Sequence, residues 1–439
     1  MQKNCYELKC FIEKNKKAFY CPVTMKLVVT PSSTLSLPVF QRDFEENNAP
    51  NLTTEKECKI IINMANKCNL KCQYCFASHG TYNRTKESLL SIESARAIVK
   101  DIRAHLKTVH KLIFFGGEPL LNIQGINYIC EKLSTKVKNF YIVTNGTILT
   151  DEVIQTLKKY NIFITISYDG VDNINNLYRG KGTAQKTKLF IDACLKAEIS
   201  PQNLAILTVF TPEHLKQKIT KTYLKEEINR LFPGITFICQ EVNNTSNNLA
   251  EEFHFSQAMK QTLNDEYEAN LSKALIFLDD NDNVDGLTYW PDEMFNIIRT
   301  FLFKERKINF CPDMGKQMMA YDFDGTRYVC QMFWGNDQAK HLHEDNFNAH
   351  ITNLNLKENY SQCSDCWVHD FCISCVKGMG IDSKTNLCSI DDRKCKHLKN
   401  TVDKILSRLA VLYHDQEKTK RFEKKFIKNF DYQNATYFA

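Results

Sequence analysis

The sequence predicts an α/β protein: a partial (β/α)6 TIM-like barrel followed by a cysteine-rich domain. Three observations carry this reading. Apolar runs of strand type alternate with segments of helical period from residue 58 to about 240. Polar loops bearing cysteine, glycine or acidic residues follow the strands on one rim. Eight of the 18 cysteines fall between Cys311 and Cys395.

The elements follow in order. Residues 1–57 form a short N-terminal extension, with a strand or hairpin over 20–30 and a linker over 47–54. Strands are expected at 59–64, 111–115, 140–144, 162–167, 204–210 and 235–239, separated by helices near 92–106, 125–133, 151–159, 184–197 and 213–231. Strands separated by helices imply right-handed parallel βαβ units, with chemistry at the C-terminal strand ends. The loops there read Cys68 to Cys75, Gly116-Gly117-Glu118-Pro119, Asn145-Gly146-Thr147 and Ser167-Tyr168-Asp169-Gly170. A helical bridge covers 241–310, a cysteine-rich domain 311–396, and a helix with a basic tail 397–439.

Bulk properties narrow the class. The chain of 439 residues is long enough for about two to three domains. No run approaches the ~18 apolar residues of a membrane span, and the N-terminus lacks the apolar core of a signal peptide, so a cytoplasmic protein is expected. The net charge of +6 is mild and interspersed, which argues against nucleic acid as a partner. Lys418, Lys420, Arg421, Lys424, Lys425 and Lys428 cluster at the end and read as a solvated helix face. Without an export signal, clustered cysteines favour metal ligation over disulfides. Cys130, Cys194 and Cys239 lie in apolar regular segments and read as small buried hydrophobes. Cys5, Cys10, Cys21 and Cys58 join neither cluster.

The first cluster, Cys68-x3-Cys72-x2-Cys75, supplies three thiolates where an iron–sulfur cube needs four. Structural zinc normally takes four closed ligands, so three cysteines without a nearby fourth fit it poorly. This loop, with Tyr74 one place before its last cysteine, resembles the signature of the radical S-adenosylmethionine (SAM) superfamily, and the three following loops resemble its SAM-binding motifs. The resemblance spans about residues 58–240 and implies a radical SAM barrel. It implies that Cys68, Cys72 and Cys75 hold a [4Fe–4S] cluster whose open iron is chelated by SAM. One electron from the cluster then cleaves SAM to methionine and a 5′-deoxyadenosyl radical, which abstracts a substrate hydrogen. It also implies that Gly116, Gly117 and Glu118 meet the methionine ammonium. Tyr74 and Phe76 would border adenine, and Asn145 and Ser167 would bond ribose or carboxylate. Asn145 and Asp169 also read as turn residues of Asn-Gly and Asp-Gly type.

The second set runs Cys311-x13-Gly325-x4-Cys330, then Cys363-x2-Cys366-x5-Cys372-x2-Cys375, then Cys388 and Cys395. A zinc ribbon is the alternative for Cys363 to Cys375. As a whole the segment resembles the SPASM domain, which carries two auxiliary clusters, giving three [4Fe–4S] clusters in all. It departs from that pattern in the two-residue gap before Cys375, where the family has three. The resemblance assigns Cys311, Cys330 and Cys375 to the inner cluster and Cys363, Cys366, Cys372 and Cys395 to the outer one. Cys388 is then a fourth inner ligand, or the inner cluster has an open iron.

SPASM enzymes mostly modify peptides made by the ribosome. The stretches 75–82 and 328–334 resemble crosslinking maturases of the sactisynthase and cyclophane-synthase kind. The resemblance therefore implies an oxidoreductase that installs a C–C, ether or thioether crosslink in a precursor peptide, with a flavodoxin or ferredoxin as electron donor. The short N-terminal extension leaves a sheet edge as the expected means of gripping a leader peptide. The alternative is an anaerobic sulfatase-maturing enzyme, which forms formylglycine; those relatives place an acid where this chain has Gln331. No general base stands out. Asp322, Asp324, His341 and Glu241 are available, and turn chemistry accounts for the first two.

Overall fold

The computed structural model describes residues 5–33, 58–242, 250–279, 292–314, 318–335, 344–379, 387–413, 415, 417–424 and 426. The linker over 47–54, His341, Lys425 and Lys428 lie outside these residues. The chain divides into two compact units. One takes residues 54–259 and 313–352; the other takes 1–53, 260–312 and 353–435. This division differs from the segments drawn on sequence, because residues from the cysteine-rich region join both units.

Three short strands open the chain: β1 (Tyr6–Glu7), β2 (Lys16–Cys21) and β3 (Lys26–Pro31). The first unit then runs β4 (Lys59–Asn66), β5 (Ser88–Leu89), α1 (Ile92–His105), β6 (Val109–Gly116), α2 (Ile123–Leu133), β7 (Val137–Thr144), α3 (Asp151–Lys159) and β8 (Phe163–Ser167). It continues α4 (Asp172–Arg179), α5 (Thr183–Lys196), β9 (Leu204–Phe210), α6 (Pro212–Lys216), α7 (Lys221–Leu231) and β10 (Thr236–Glu241). Strands β4, β6, β7, β8, β9 and β10 pair in parallel in the order β10-β9-β8-β7-β6-β4. Strands β4 and β9 are buried along most of their length, as a parallel sheet covered by helices requires, while the edge strand β10 is half-buried to exposed. Ile60, Ile62, Phe114, Ile142, Ile164 and Ile206 pack against Ile98, Ile129, Leu157, Ile191 and Ile228 of the helices. Each such side chain contributes about 1.5–3 kcal/mol by leaving water. Ser91, Thr150 and Thr220 cap α1, α3 and α7, each accepting from a backbone N–H inside the first turn.

Three features differ from the sequence reading. The helix expected over 213–231 is two helices, α6 and α7, separated by Gln217–Thr220. Helix α4 was not expected; its run is polar, and its buried residues are Ile174, Asn175, Tyr178 and Arg179. The sheet also gains a seventh parallel strand, β11 (Met318–Tyr321), beside β4, with β12 (Arg327–Tyr328) turning back antiparallel. Asp322 follows β11 and is more than a turn residue. It is buried, accepts from Asn63 Nδ2 at 2.8 Å, and is ion-paired with Arg84. Asp324 does act in the turn, accepting from Thr326 N at 3.0 Å.

In the second unit β1, β2 and β3 form an antiparallel sheet in that order. Tyr6 stacks on Trp367, ring centroids 3.7 Å apart, and Tyr20 meets the same indole edge-on. The helix Asp392–Leu412 anchors the sheet through Asp403, which accepts from Lys9 N at 3.0 Å and Cys10 N at 2.8 Å. Helices α8 (Gln257–Asp279) and α9 (Asp292–Leu302) supply Leu271, Met294, Ile297 and Ile298 to a core shared with Val402, Ile405 and Leu409.

Candidate functional site

The loop after β4 carries Cys68, Cys72 and Cys75 at the C-terminal rim of the sheet. Its turns are held by Cys75 N donating to Cys72 O at 3.2 Å and Ser78 N to Cys75 O at 3.3 Å. Cys68 Sγ accepts from Leu70 N at 3.4 Å and from Asn145 Nδ2 at 3.7 Å. Burial pushes the Cys68 thiol up to about 12, with Glu118, Cys72 and Cys75 adding to the rise. Burial and the neighbouring Cys75 likewise take Cys72 up to about 11. Cys68 and Cys72, each raised by burial and by its neighbours, form with Cys75 a donor set that a cation relieves.

The GlyGlyGlu segment is pressed onto this loop. Gly117 N donates to Ala65 O at 2.8 Å and Glu118 N to Lys67 O at 3.0 Å. The approach requires glycine, since a Cβ on Gly117 would overlap the Lys67 carbonyl and the backbone of Gly80. Glu118 then turns inward and is fully buried. Its carboxylate accepts from Leu120 N at 3.0 Å, Thr144 Oγ1 at 2.7 Å and Asn145 N at 2.8 Å. Burial raises its pKa to about 7 against the pull of these three donors. Asn145, just after β7, turns its amide to Asn69 Oδ1 at 2.8 Å and accepts from Thr147 N at 2.9 Å. One residue thus fills both the turn role and a contact with the cysteine loop. Ser167 closes β8 half-buried.

A second set of contacts fixes the loop from the other side. Tyr74 is buried against Tyr178 and Phe253, and its hydroxyl donates to Asp169 Oδ2 at 2.5 Å. Asp169 is fully buried and held by Arg179 of α4 through two hydrogen bonds, at 3.0 and 2.9 Å. Gln73 N donates to Tyr178 O at 3.0 Å, so the end of α4 is stitched to the cysteine loop. Asp169 is therefore an ion-pair partner, not a turn residue only. Phe76 is 43% exposed and meets Tyr82 edge-on. Tyr82, buried, donates to Gly116 O at 3.3 Å and packs edge-on against Trp334. Sequence reasoning missed Arg179, for which the available signal was Ile174 and Tyr178 at helical spacing; Tyr82 and Trp334 end the stretches 75–82 and 328–334 but took no role there. Glu241, at the end of β10, is exposed and paired with Lys221.

The other unit brings four of the later cysteines around one cavity. Cys363, Cys366, Cys372 and Cys395 line it, with Lys357. Burial, then Cys372, Cys366 and Cys395, push the Cys363 thiol up to about 11. Burial also raises Cys372 and Cys395. Lys357 is buried, and its ammonium donates to Lys307 O at 2.8 Å and His369 O at 2.6 Å. Burial brings it down to about 8, and Cys372 and Asp370 oppose that fall. Cys388 lies elsewhere. Its amide donates to Tyr360 Oη at 3.1 Å, and its thiol is raised by burial and by Cys375. Ser374 N donates to Phe310 O at 3.0 Å, which sets Cys375 and Cys311 on adjoining strands of chain. Cys330 belongs to the barrel unit. Among the described residues no three His, Cys, Asp or Glu side chains are positioned to hold a single ion. Iron–sulfur clusters are held by cysteine thiolates, and both sets are built from thiols.

An open parallel α/β sheet carrying this cysteine loop defines the class: residues 62–223 match the family model of the radical SAM superfamily and form a radical SAM domain. The cysteine-rich C-terminal region fits a SPASM domain. Among curated proteins, the radical SAM cyclopropyl synthase TigE of Paramaledivibacter caminithermalis is 30% identical over 159 residues, 32% of this chain and 33% of that protein. The cysteine-type anaerobic sulfatase-maturating enzyme of Clostridium novyi is 26% identical over 389 residues, 81% of this chain and 97% of that enzyme. The chain thus spans about a third of the length of TigE and nearly all of the maturating enzyme. In fold it is similar to anSMEcpe with bound AdoMet, with a TM-score of 0.58 and 17% identity over 81% of this chain and 99% of that one. It is also similar to Streptococcus suis SuiB bound to S-adenosylmethionine, with a TM-score of 0.52 and 17% identity over 76% of each chain. Among the described residues no helix is long and apolar enough to cross a membrane.

Proposed function

We propose that this protein is a radical SAM oxidoreductase that installs an oxidative crosslink in a ribosomally made precursor peptide. The observation that carries the proposal is the seating of Cys68, Cys72 and Cys75 against Glu118 and Asn145 at the strand ends, with a separate four-thiol cavity in the second unit. Cys68, Cys72 and Cys75 would hold a [4Fe–4S] cluster, and the fourth iron site would take SAM. When bound, cluster and SAM supply a 5′-deoxyadenosyl radical that removes a substrate hydrogen.

The chain's own residues prepare that chemistry. Gly117 lets the backbone close on the cysteine loop, and buried Glu118 braces the strand ends by accepting from Thr144 and Asn145 N. Asn145 ties Cys68 to the end of β7. Asp169 and Arg179 hold Tyr74, and through it the middle of the loop. Cys363, Cys366, Cys372 and Cys395 would hold an outer auxiliary cluster. Cys311 and Cys375, with Cys388, would serve an inner one. A flavodoxin or ferredoxin would deliver the electron.

The test is to look for a short peptide gene beside this one and to co-express that peptide with this protein. The proposal expects the peptide to lose two hydrogens per crosslink and to fragment as a linked species. A second reading, formylglycine formation, is favoured by the match along 97% of the Clostridium novyi sulfatase-maturating enzyme. It expects instead an aldehyde that a hydrazide probe captures on a sulfatase peptide.

A further inference from the structure

Two cysteines that neither cluster assignment absorbs face each other in the N-terminal sheet. Strand β1 pairs with β2 through Tyr6 opposite Tyr20 and Glu7 opposite Phe19, so one step further Cys5 stands opposite Cys21. Leu8 N donates to Ala18 O at 2.9 Å. Positions 8/18 and 6/20 are therefore the hydrogen-bonded pairs of this ladder, and 7/19 and 5/21 the non-hydrogen-bonded ones. Pairs of the second kind bring their Cα atoms to about 4.5 Å, within the ~4.4–6.8 Å that a disulfide spans. The two thiols are hydrogen-bonded to each other.

Their surroundings give them different chemistry. Burial takes the Cys5 thiol up to about 12, and Cys21 adds to the rise. At Cys21 burial acts in the same sense but is outweighed. The amides of Thr24 and Val23 and the Cys5 thiol favour its thiolate, and the thiol falls below its usual value. The turn that presents these donors is clamped by two cations. Arg306 donates to Pro22 O at 2.7 Å and to Val23 O, and Lys304 to Met25 O at 3.3 Å. Cys21, 3% exposed, thus has a donor-rich setting that favours its thiolate, and Cys5, half-buried, is a protonated partner in reach.

We propose that Cys21 and Cys5 form a redox-active dithiol, a reversible modification site for low-molecular-weight disulfides that is separate from the cluster cysteines. The Cys21 thiolate attacks one sulfur of the small disulfide, whose S–S bond breaks; one small thiolate leaves and takes up a proton. Cys5 then gives up its proton and attacks Cys21 sulfur, expelling the second small thiolate. Two protein thiols are oxidised to one disulfide, and one small disulfide is reduced to two thiols. The bond closes β1 onto β2.

The experiment treats the anaerobic, cluster-loaded full chain with oxidised glutathione, followed by alkylation and peptide mapping. Wild type is expected to lose two alkylatable thiols together, to yield a linked Cys5–Cys21 peptide, and to recover both with dithiothreitol. Cys5→Ser is expected to stop with one glutathione on Cys21. Cys21→Ser is expected to leave Cys5 unmodified. Iron content should be unchanged in all three. The proposal is overturned if Cys5 takes up glutathione as fast in Cys21→Ser as in wild type. It is equally overturned if no Cys5–Cys21 peptide forms while Cys10 or Cys58 becomes labelled.

Discussion

Arg179 grips Asp169 through two hydrogen bonds, Nε to Oδ2 at 3.0 Å and Nη2 to Oδ1 at 2.9 Å, and the pair is buried beside the ring of Tyr74. The Tyr74 hydroxyl and Val209 N complete the shell of donors around the carboxylate. The pair therefore joins three elements: the cysteine loop, the end of β8 and the end of α4.

Removing one partner leaves an uncompensated buried charge. Arg179→Met should cost about 3–5 kcal/mol of stability, and the Asp169→Asn, Arg179→Met double variant distinctly less. Urea unfolding of the three proteins checks this. A double variant as damaged as the single one would show that lost packing, not the stranded carboxylate, sets the cost.

Glu118 gives a pH signature. Its folded pKa of about 7 lies above the 4.5 of an unperturbed glutamate, so the folded state binds the proton more tightly than the unfolded state. Stability from this group is therefore present below pH 4.5 and lost as pH rises from there through 7, by about 3 kcal/mol in all. Wild type should lose stability relative to Glu118→Gln across that window. A pH-independent difference between the two would contradict the buried, raised carboxylate.

Gly117 tests the close approach of the two loops. Gly117→Ala drives a methyl into the Lys67 carbonyl just ahead of Cys68. The clash should cost about 1–3 kcal/mol and lower the iron retained after reconstitution. Iron assay beside a thermal melt reads both; an unchanged iron count would show that the loop yields without disturbing its cysteines.

Lys357 places a buried cation among the four thiols of the second unit. A cation favours the reduced form of a neighbouring cluster. Lys357→Met should thus lower that cluster's midpoint potential at unchanged iron content. An EPR-monitored redox titration measures it, and an unshifted potential would remove Lys357 from the cluster's environment.

Much of this was legible in the chain. The strands at 204–210 and 162–167 and the helix at 151–159 appear where apolar period put them, because each is bounded by a capping residue or turn within a few positions. Strand β11 was not legible, since it pairs with β4 across some 250 residues and no local pattern encodes such a partner. Asp169 looked like an Asp-Gly turn because its cation lies ten residues on, in a helix whose asparagines hide its period. The cysteines stood out by spacing alone. Their grouping came from the family resemblance and not from spacing: it set Cys395 with Cys363, Cys366 and Cys372, and Cys395 lines their cavity, while Cys388 lies toward Cys375.

The central claim is that Cys68, Cys72 and Cys75 support SAM cleavage while the later cysteines serve the substrate. The direct measurement is 5′-deoxyadenosine formed from SAM and dithionite by reconstituted wild type, Cys72→Ala and Cys363→Ala, each with its iron content. Each substitution should remove about four irons. Wild type should make 5′-deoxyadenosine, Cys72→Ala none, and Cys363→Ala a reduced amount without modified peptide. A fully loaded wild type that makes none, or equal losses in the two variants, would contradict the account.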